Sequence, residues 1–281
     1  MTTVAIIGAG DLGGAIAQAL VSRDRVNRIL IVDAAGQAAA GKALDIQQTG
    51  AVDLFHTKLE GTDDVSRITA CAVCVIADKF GTGSPEWRGE DGLAMLGRAT
   101  PYIAKMPVVF AGAGQADLLA QAAGELGMPR AQLIGSSPEA LASAVTAIVA
   151  VEAGCSPREI QLTVLGTPGA FVVLWSEASI GGYSLERVLS QVQLTRVAAR
   201  AAKLWPPGPY ALGAAAATVV KAILSSSRQS FSVLTQLGGE FGVRNRPGAL
   251  PSLLSPRGIV STRTPELSPR ERVQLQTALG G

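Results

Sequence analysis

The chain has 281 residues and a formal net charge of +2, a length that suits one large domain or two modest ones. Charged residues make up 16% and aromatic residues 4%, so the 48% apolar content comes mainly from small and aliphatic side chains, beside 32 Gly. This composition excludes a disordered chain, a disulfide scaffold and a coiled coil, and the absence of a dense Lys/Arg block argues against nucleic acid as a partner. The longest apolar stretch, around residues 68–77, is too short to span a bilayer.

The first half of the chain alternates short apolar runs with helical spacing. The apolar runs predict buried strands at Val4–Ile7, Ile29–Val32, Ala70–Ala77, Val108–Phe110 and Leu133–Ile134. Apolar residues three and four positions apart predict helices at Leu12–Leu20, Ala38–Gln48, Leu93–Lys105 and Ala116–Leu126. Because strand and helix alternate, we expect parallel strands with helices on both faces, which is a doubly wound α/β sheet.

The second half has a different order of elements. In chain order it predicts a long helix at about Glu139–Ala153, strands at Ile160–Leu165 and Ala170–Leu174, helices near Ser184–Lys203 and Leu212–Ser225, short strands around Phe231–Leu237 and a helix after Ser268. This pattern is typical of an α+β unit packed beside the parallel sheet. We therefore predict two domains, residues 1–135 and residues 136–281.

A glycine motif follows the first predicted strand and opens the first predicted helix. Gly8, Gly10 and Gly13 form G-x-G-x-x-G, and Asp33 ends the second strand 20 residues after Gly13. In this setting the glycines allow a tight turn, close approach of a pyrophosphate and close helix–strand packing, while the carboxylate accepts from a ribose hydroxyl. The motif predicts a Rossmann domain that binds NAD, with NADP disfavoured by Asp33. The alternative is a Gly-rich turn that serves packing alone.

The chain resembles the lactate/malate dehydrogenase family over nearly its whole length. The resemblance rests on the glycine motif and Asp33 and on further stretches, namely Gly41–Asp45, Glu152–Gly154, Leu174–Ser176, Ile180–Gly182 and Tyr210–Ala216. It implies an N-terminal NAD domain, a C-terminal catalytic domain, hydride transfer on 2-hydroxy acids, and homodimers or homotetramers. The cofactor-binding residues that it implies are Gly8, Gly10, Asp11, Leu12, Gly13, Asp33, Ala77 and Asp78.

The catalytic residues of the family do not carry over to this chain. Where the family has its catalytic His, this chain has Pro168, and where the family has the Asp that orients the His and the Arg that binds the substrate carboxylate, it has Leu141 and Ala144. Arg88 is a weak candidate for a second substrate-binding Arg, and it reads equally well as a solvated surface charge. We therefore predict that ordinary 2-hydroxy-acid dehydrogenase activity is lost.

Asp78 departs from the family pattern on the cofactor side. It stands where the family usually has a Gly close to the dinucleotide. A carboxylate at this position would repel a pyrophosphate unless Lys79 or solvent screens it, so we expect weakened cofactor binding.

Histidine and cysteine usage limits the remaining chemistry. His56 is the single histidine of the chain, and we interpret it as an ordinary loop or strand residue, so no multi-His metal site is expected. Cys71 and Cys74 form C-x-x-C inside an apolar run, which favours buried core thiols over a redox pair. Since no export signal opens the chain, these thiols and Cys155 fit a cytoplasmic location.

Three readings of the function stay open on the sequence. The first is a dinucleotide-binding protein of lactate/malate dehydrogenase type without the ordinary reaction. The second is a working oxidoreductase whose acid–base group comes from the loop residues Lys79, Glu86, Glu90 or Asp91, although loop carboxylates are more often solvated charges. The third is a structural oligomer with an empty or blocked cofactor groove.

Overall fold

A computed structural model describes residues 2–81, 83 and 85–280 and has the predicted mixed α/β architecture. The strands are β1 Thr3–Ile7, β2 Arg28–Val32, β3 Lys58–Thr62, β4 Val73–Ile76, β5 Val108–Phe110, β6 Leu133–Gly135, β7 Ile160–Gln161, β8 Val164–Thr167, β9 Ala170–Val173, β10 Ser179–Ile180, β11 Tyr183–Ser184, β12 Phe231–Gly238, β13 Arg244–Ser255 and β14 Gly258–Thr262. The α-helices are α1 Asp11–Val21, α2 Gly36–Gln48, α3 Gly50–Asp53, α4 Gly89–Ile103, α5 Ala116–Gly124, α6 Ser137–Ala153, α7 Leu185–Val188, α8 Gln191–Ala201, α9 Pro209–Ser225 and α10 Pro269–Ala278.

The N-terminal half forms a parallel sheet in the order β3-β2-β1-β4-β5-β6. Strand β1 lies between β2 and β4, with Val4 opposite Ile29 on one side and Val73 on the other. Separate apolar clusters contain alternate residues of these strands, such as Ile6 in one and Ile7 in the other, so both faces of the sheet are covered. The predicted doubly wound sheet is confirmed.

The same sheet continues into the C-terminal half. Strand β12 pairs antiparallel with β6 through Leu234 and Gly135, and β13, β8 and β9 extend the sheet further, while β14 pairs with β13 outside this order. A small second sheet has the order β11-β10-β7. The predicted domain boundary at 135/136 falls between the last residue of β6 and the first residue of α6, and the division itself stays a prediction.

Some elements differ from the sequence-based expectations for identifiable physical reasons. Strand β3 was not predicted because it contains the polar residues Lys58 and Glu60 and so lacks the continuous apolar run of a buried strand. It lies at the edge of the sheet, where polar residues are tolerated. Strand β13 was not predicted because Pro247 and Pro251 count against a long strand. The single helix predicted over Ser184–Lys203 is two helices, since Ser190 makes a capping box with Gln193 and starts α8.

Small residues let helices α1 and α9 approach each other closely. A Cβ on Gly213 of α9 would lie 2.8 Å from the carbonyl carbon of Ala15 in α1, which is too close for any side chain. Ala216 and Ala217 of α9 are fully buried in the same cluster as Ile16 of α1. No described helix has both the length and the apolar content to cross a membrane.

Replacing Gly213 tests this close packing. Gly213→Val should lower the free energy of unfolding by about 1–3 kcal/mol, because the added side chain overpacks the α1–α9 contact. Gly41→Val in α2 is the matched control, because a Cβ there meets nothing within 4 Å, and its effect should stay within about 0.5 kcal/mol. Urea denaturation measures both, and equal stability of the two variants would contradict the close contact.

Candidate functional site

The predicted site residues come together where the parallel strands end. Gly8 follows β1, Asp33 follows β2, Ala77 and Asp78 follow β4, and Ala111 follows β5. Because parallel strands have their carboxyl ends at one edge of the sheet, these positions lie together beside the N-terminus of α1. The structure therefore collects the sequence-predicted cofactor residues in one groove, hereafter the strand-end groove.

The carboxylate of Asp78 occupies the N-terminus of α1. Oδ2 accepts a hydrogen bond from the Leu12 amide and Oδ1 accepts one from the Gly13 amide, each at 2.8 Å. The first amides of a helix lack partners within the helix, and the positive end of the helix dipole favours an anion there. Asp78 is only 2% exposed, so its carboxylate is the anion at this helix end in the described structure.

The glycines of the motif make room for Asp78. A Cβ on Gly8, whose φ is +120°, would lie 2.1 Å from the main-chain oxygen of Asp78. A Cβ on Gly10 would lie 2.3 Å from Oδ2 of Asp78, and one on Gly13 would lie 2.1 Å from the main-chain oxygen of Gly8. Contacts within the chain thus account for every glycine of the motif, which is what the packing alternative expects.

Opposing effects act on the pKa of the Asp78 carboxyl. Burial raises the pKa of its carboxyl, and Asp11 at the first position of α1 raises it further. The Leu12 and Gly13 amides and the positive charge of Lys42 act against this rise. Lys42 itself donates from Nζ to the Gly10 oxygen at 2.8 Å, so it also fixes the turn.

Asp33 is engaged by backbone amides. Its Oδ2 accepts from Ala9 at 2.9 Å and from Phe80 at 3.0 Å, and its Oδ1 accepts from Ala35 at 2.9 Å. With 6% of its surface exposed, Asp33 joins the turn after β1 to the segment after β4. The contact with a ribose hydroxyl that the motif predicts would compete with these amides.

A second carboxylate from the segment after β4 covers the amides after β5. Glu86 accepts from Ala113 at 2.9 Å through Oε1 and from Gly114 at 2.8 Å through Oε2. The segment turns back on itself, since Asp78 and Glu86 form an antiparallel bridge. The sequence indicated Glu86 only as an alternative base, and its role as a ligand of backbone amides was missed because such contacts leave no motif.

Gln115 fixes the remaining predicted cofactor residue. Its Nε2 donates to the Ala77 oxygen at 2.8 Å, and its Oε1 accepts from the Gly112 amide at 2.9 Å. Ala77 is fully buried, so its position is set by the end of β4 and by this side chain. Gln115 thereby ties the end of β4 to the turn after β5.

The positions that the sequence resemblance assigns to the family's catalytic centre are apolar in structure as well as in sequence. Leu141 is buried in an apolar cluster with Val145 and Val164. Pro168 lies in the turn between β8 and β9 and lines a cavity of about 560 Å³. The charged residues among the described lining of that cavity are Asp117 and Arg246, and Arg246 donates to the Leu279 oxygen at 2.8 Å.

The other charged candidates have partners or point to solvent. Arg88 is 61% exposed and lies 3.6 Å from Glu86. Lys79 is 2.5 Å from Asp91 and sits over the ring of Trp87. These contacts give the loop charges a structural role in the part of the chain that is described.

His56 lies at the opposite edge of the sheet from the strand-end groove. It precedes β3, and the partner of its amide, Asp24, precedes β2, so both lie where parallel strands begin. Its side chain is 90% exposed and lies 3.5 Å from Asp24. The interpretation of His56 as an ordinary residue agrees with this position.

The cysteines have the properties of core thiols. Cys74 is fully buried in β4, Cys71 is partly buried, and neither forms a disulfide. Burial raises the pKa of Cys71 to about 11 and raises that of Cys74 as well, so both remain protonated at neutral pH. This favours packing over redox chemistry, as the sequence indicated.

Glu139 is a partly buried acid that the sequence did not single out. It lies in the first turn of α6, accepts from the Ser232 amide at 3.2 Å, and lines a cavity of about 840 Å³ with the ion pair Glu177–Arg263. Burial raises the pKa of Glu139 to about 7. Its signal in the sequence is weak because an acid in the first turn of a helix is ordinary.

The raised pKa of Glu139 predicts a pH-dependent stability. The folded chain holds a proton on Glu139 above the ordinary value of 4.5, so stability falls as pH rises from about 4.5 to 7 and then levels off. Glu139→Gln should remove this component, so its stability relative to the wild type should increase over that range. Denaturation at several pH values measures the difference, and a constant difference would contradict the raised pKa.

A nicotinamide dinucleotide does not fit the strand-end groove as the chain fills it. The amides that would receive the pyrophosphate belong to Leu12 and Gly13, and Asp78 holds both. The carboxylate that would receive the ribose is Asp33, which three backbone amides engage. The Rossmann geometry is therefore present while its ligand positions are filled from within the chain.

Comparison by sequence finds relatives that match the whole chain. The chain is 28% identical over 302 residues to a malate dehydrogenase of Thioalkalivibrio sulfidiphilus, and the alignment covers 100% of this chain and 97% of that protein. It is 27% identical over 313 residues to an L-lactate dehydrogenase of Geotalea daltonii, with 98% of this chain and 95% of that protein covered. No protein-family model matches the sequence.

Comparison by structure gives the same fold. A minor L-lactate dehydrogenase from Enterococcus mundtii superposes with a TM-score of 0.86 at 18% identity, covering 99% of this chain and 95% of that one. A malate dehydrogenase from Aeropyrum pernix also has a TM-score of 0.86, at 19% identity, with 98% and 95% covered. The likeness therefore extends through both halves of the fold.

Proposed function

Because this chain belongs to the lactate/malate dehydrogenase family, we propose that it is a member that has kept the dinucleotide-binding fold and lost ordinary 2-hydroxy-acid dehydrogenase activity. The observation that carries this proposal is Pro168 at the position of the family's catalytic His. Proline has no titratable group, so it cannot take the hydroxyl proton as hydride leaves. Leu141 and Ala144 stand at the positions of the groups that orient the base and bind the substrate carboxylate.

The size of the missing contributions supports this proposal. A positioned general base contributes roughly 10²–10⁴-fold to a rate. A bidentate clamp on the substrate adds orientation, which is a large share of catalysis in many enzymes. Since such groups act as a unit, their losses do not simply add, and with all of them missing we expect the ordinary reaction to be negligible.

The second reading, an oxidoreductase with a substitute base, gains no support from the contacts of the described candidates Lys79, Glu86 and Asp91. Lys79 is paired with Asp91, and the Glu86 carboxylate is bound to two amides. These two groups are therefore already engaged in contacts within the chain.

The third reading, a blocked groove in a structural oligomer, has a specific observation in its favour. The groove holds carboxylates of the chain itself, as described above for Asp78 and Glu86. Leu44 on α2 and Val52 on α3 are exposed apolar side chains, as is the adjoining Leu54, and these suit an interface between copies. We also propose that the protein is a homodimer or homotetramer and that it is cytoplasmic. If a dinucleotide enters the groove, NAD should be preferred over NADP, because Asp33 would repel a 2′-phosphate.

An activity assay tests the loss of the ordinary reaction. The purified protein should give no NADH above the protein-free background with NAD and a panel of malate, lactate and related 2-hydroxy acids. Pro168→His should also remain inactive, because Leu141 cannot orient a His and Ala144 cannot bind a carboxylate. Followed at 340 nm, steady turnover by the wild-type chain would overturn the proposal.

A further inference from the structure

Building on the proposed loss of dehydrogenase activity, we propose that Asp78 is a built-in anion that excludes NAD from the strand-end groove of the wild-type protein, and that removing this one side chain opens the groove. The observation behind it is the placement of one carboxylate across two helix-end amides, with the oxygens 2.8 Å from the nitrogens of Leu12 and Gly13. Those amides are the donors that a pyrophosphate needs at this turn.

The number of available donors makes the two ligands mutually exclusive. The turn after β1 offers its amides to one anion, and each of the two Asp78 oxygens takes one of them. The Gly10 amide is directed to the main-chain oxygen of Asp78 at 3.3 Å, and the Ala9 amide goes to Asp33 at 2.9 Å. An entering phosphate would find the amides of residues 9, 10, 12 and 13 directed to acceptors of the chain.

Charge works in the same direction as donor number. A pyrophosphate at this turn would lie beside the buried carboxylate of Asp78 and near that of Asp33. Lys42 is the cation that contacts the turn, and its Nζ is bound to the Gly10 oxygen at 2.8 Å. Like charges that are shielded from water repel more strongly than exposed ones, so the wild-type groove disfavours a dianion.

An attached ligand also has an entropic advantage over a free one. The Asp78 side chain is tethered at the end of β4 and loses no translational freedom on binding the amides, whereas a free dinucleotide does. Glu86 adds a second tethered contact at the Ala113 and Gly114 amides. The dinucleotide would have to displace Asp78 before it gained its own phosphate contacts.

The experiment compares the wild type with Asp78→Ala and Asp91→Asn. Asp91→Asn is the matched control because it also removes one carboxylate. The Asp91 carboxylate contacts Lys79 in the segment after β4 and makes no contact with the α1 amides. Each protein is titrated with NAD and, separately, with inorganic pyrophosphate by isothermal calorimetry, and its folding is checked by circular dichroism. Asp78→Ala should bind both probes at least roughly tenfold more tightly than the wild type, about 1.4 kcal/mol, and Asp91→Asn should match the wild type.

Two results would overturn the exclusion of NAD. One is wild-type binding as tight as that of Asp78→Ala, and the other is a folded Asp78→Ala that binds neither probe. If Asp78→Ala does not fold, hydrogen exchange at the Leu12 and Gly13 amides of the wild type decides: exchange unchanged by millimolar NAD supports the exclusion, and slowed exchange overturns it. Turnover of NAD in the activity assay would contradict both the proposed function and the exclusion of NAD, whereas NAD binding without turnover would overturn the exclusion alone.

Discussion

The contact between the Asp78 carboxylate and the first amides of α1 determines how the N-terminal half of this protein is put together. It joins the end of β4 to the start of α1 across the turn after β1, and it uses donors that no residue within the helix can satisfy. Gly8 and Gly10 are necessary because Asp78 lies against them. Asp33 adds a second link between the same segments, because its carboxylate accepts from the amide of Ala9 in the turn after β1 and from the amide of Phe80 in the segment after β4.

The proposed loss of dehydrogenase activity rests on a different kind of residue in each half of the fold. In the N-terminal half, carboxylates of the chain stand where a bound anion would be expected. In the C-terminal half, Leu141, Ala144 and Pro168 stand where polar catalytic groups would be expected, and Leu141 packs into the core there. The low fraction of charged residues, 16%, is consistent with the second of these changes. One scaffold can in principle be kept while ligand binding and reaction change, because backbone topology and side-chain chemistry are separate requirements.

The fold was predictable because its strands and helices have strong periodic signals. The strands at Val4–Ile7 and Val108–Phe110 were placed within a residue of their observed bounds, while β13 was missed since its prolines oppose the local rule and tertiary pairing with β12 overrides it. In the site, the sequence predicted that Asp78 would oppose a pyrophosphate. It could not predict that the carboxylate would itself bind the Leu12 and Gly13 amides, because that depends on three-dimensional proximity between residues far apart in the chain.

The most direct measurement is the pH titration of the backbone amide resonances of the wild-type protein by nuclear magnetic resonance. If Asp78 is the resident anion, the Leu12 and Gly13 amide signals should titrate together, with one pKa above the usual range of an Asp carboxyl, and should not move when millimolar NAD is added at neutral pH. Amide signals that ignore the titration of Asp78, or that shift with NAD, would contradict a groove closed by the chain's own carboxylate.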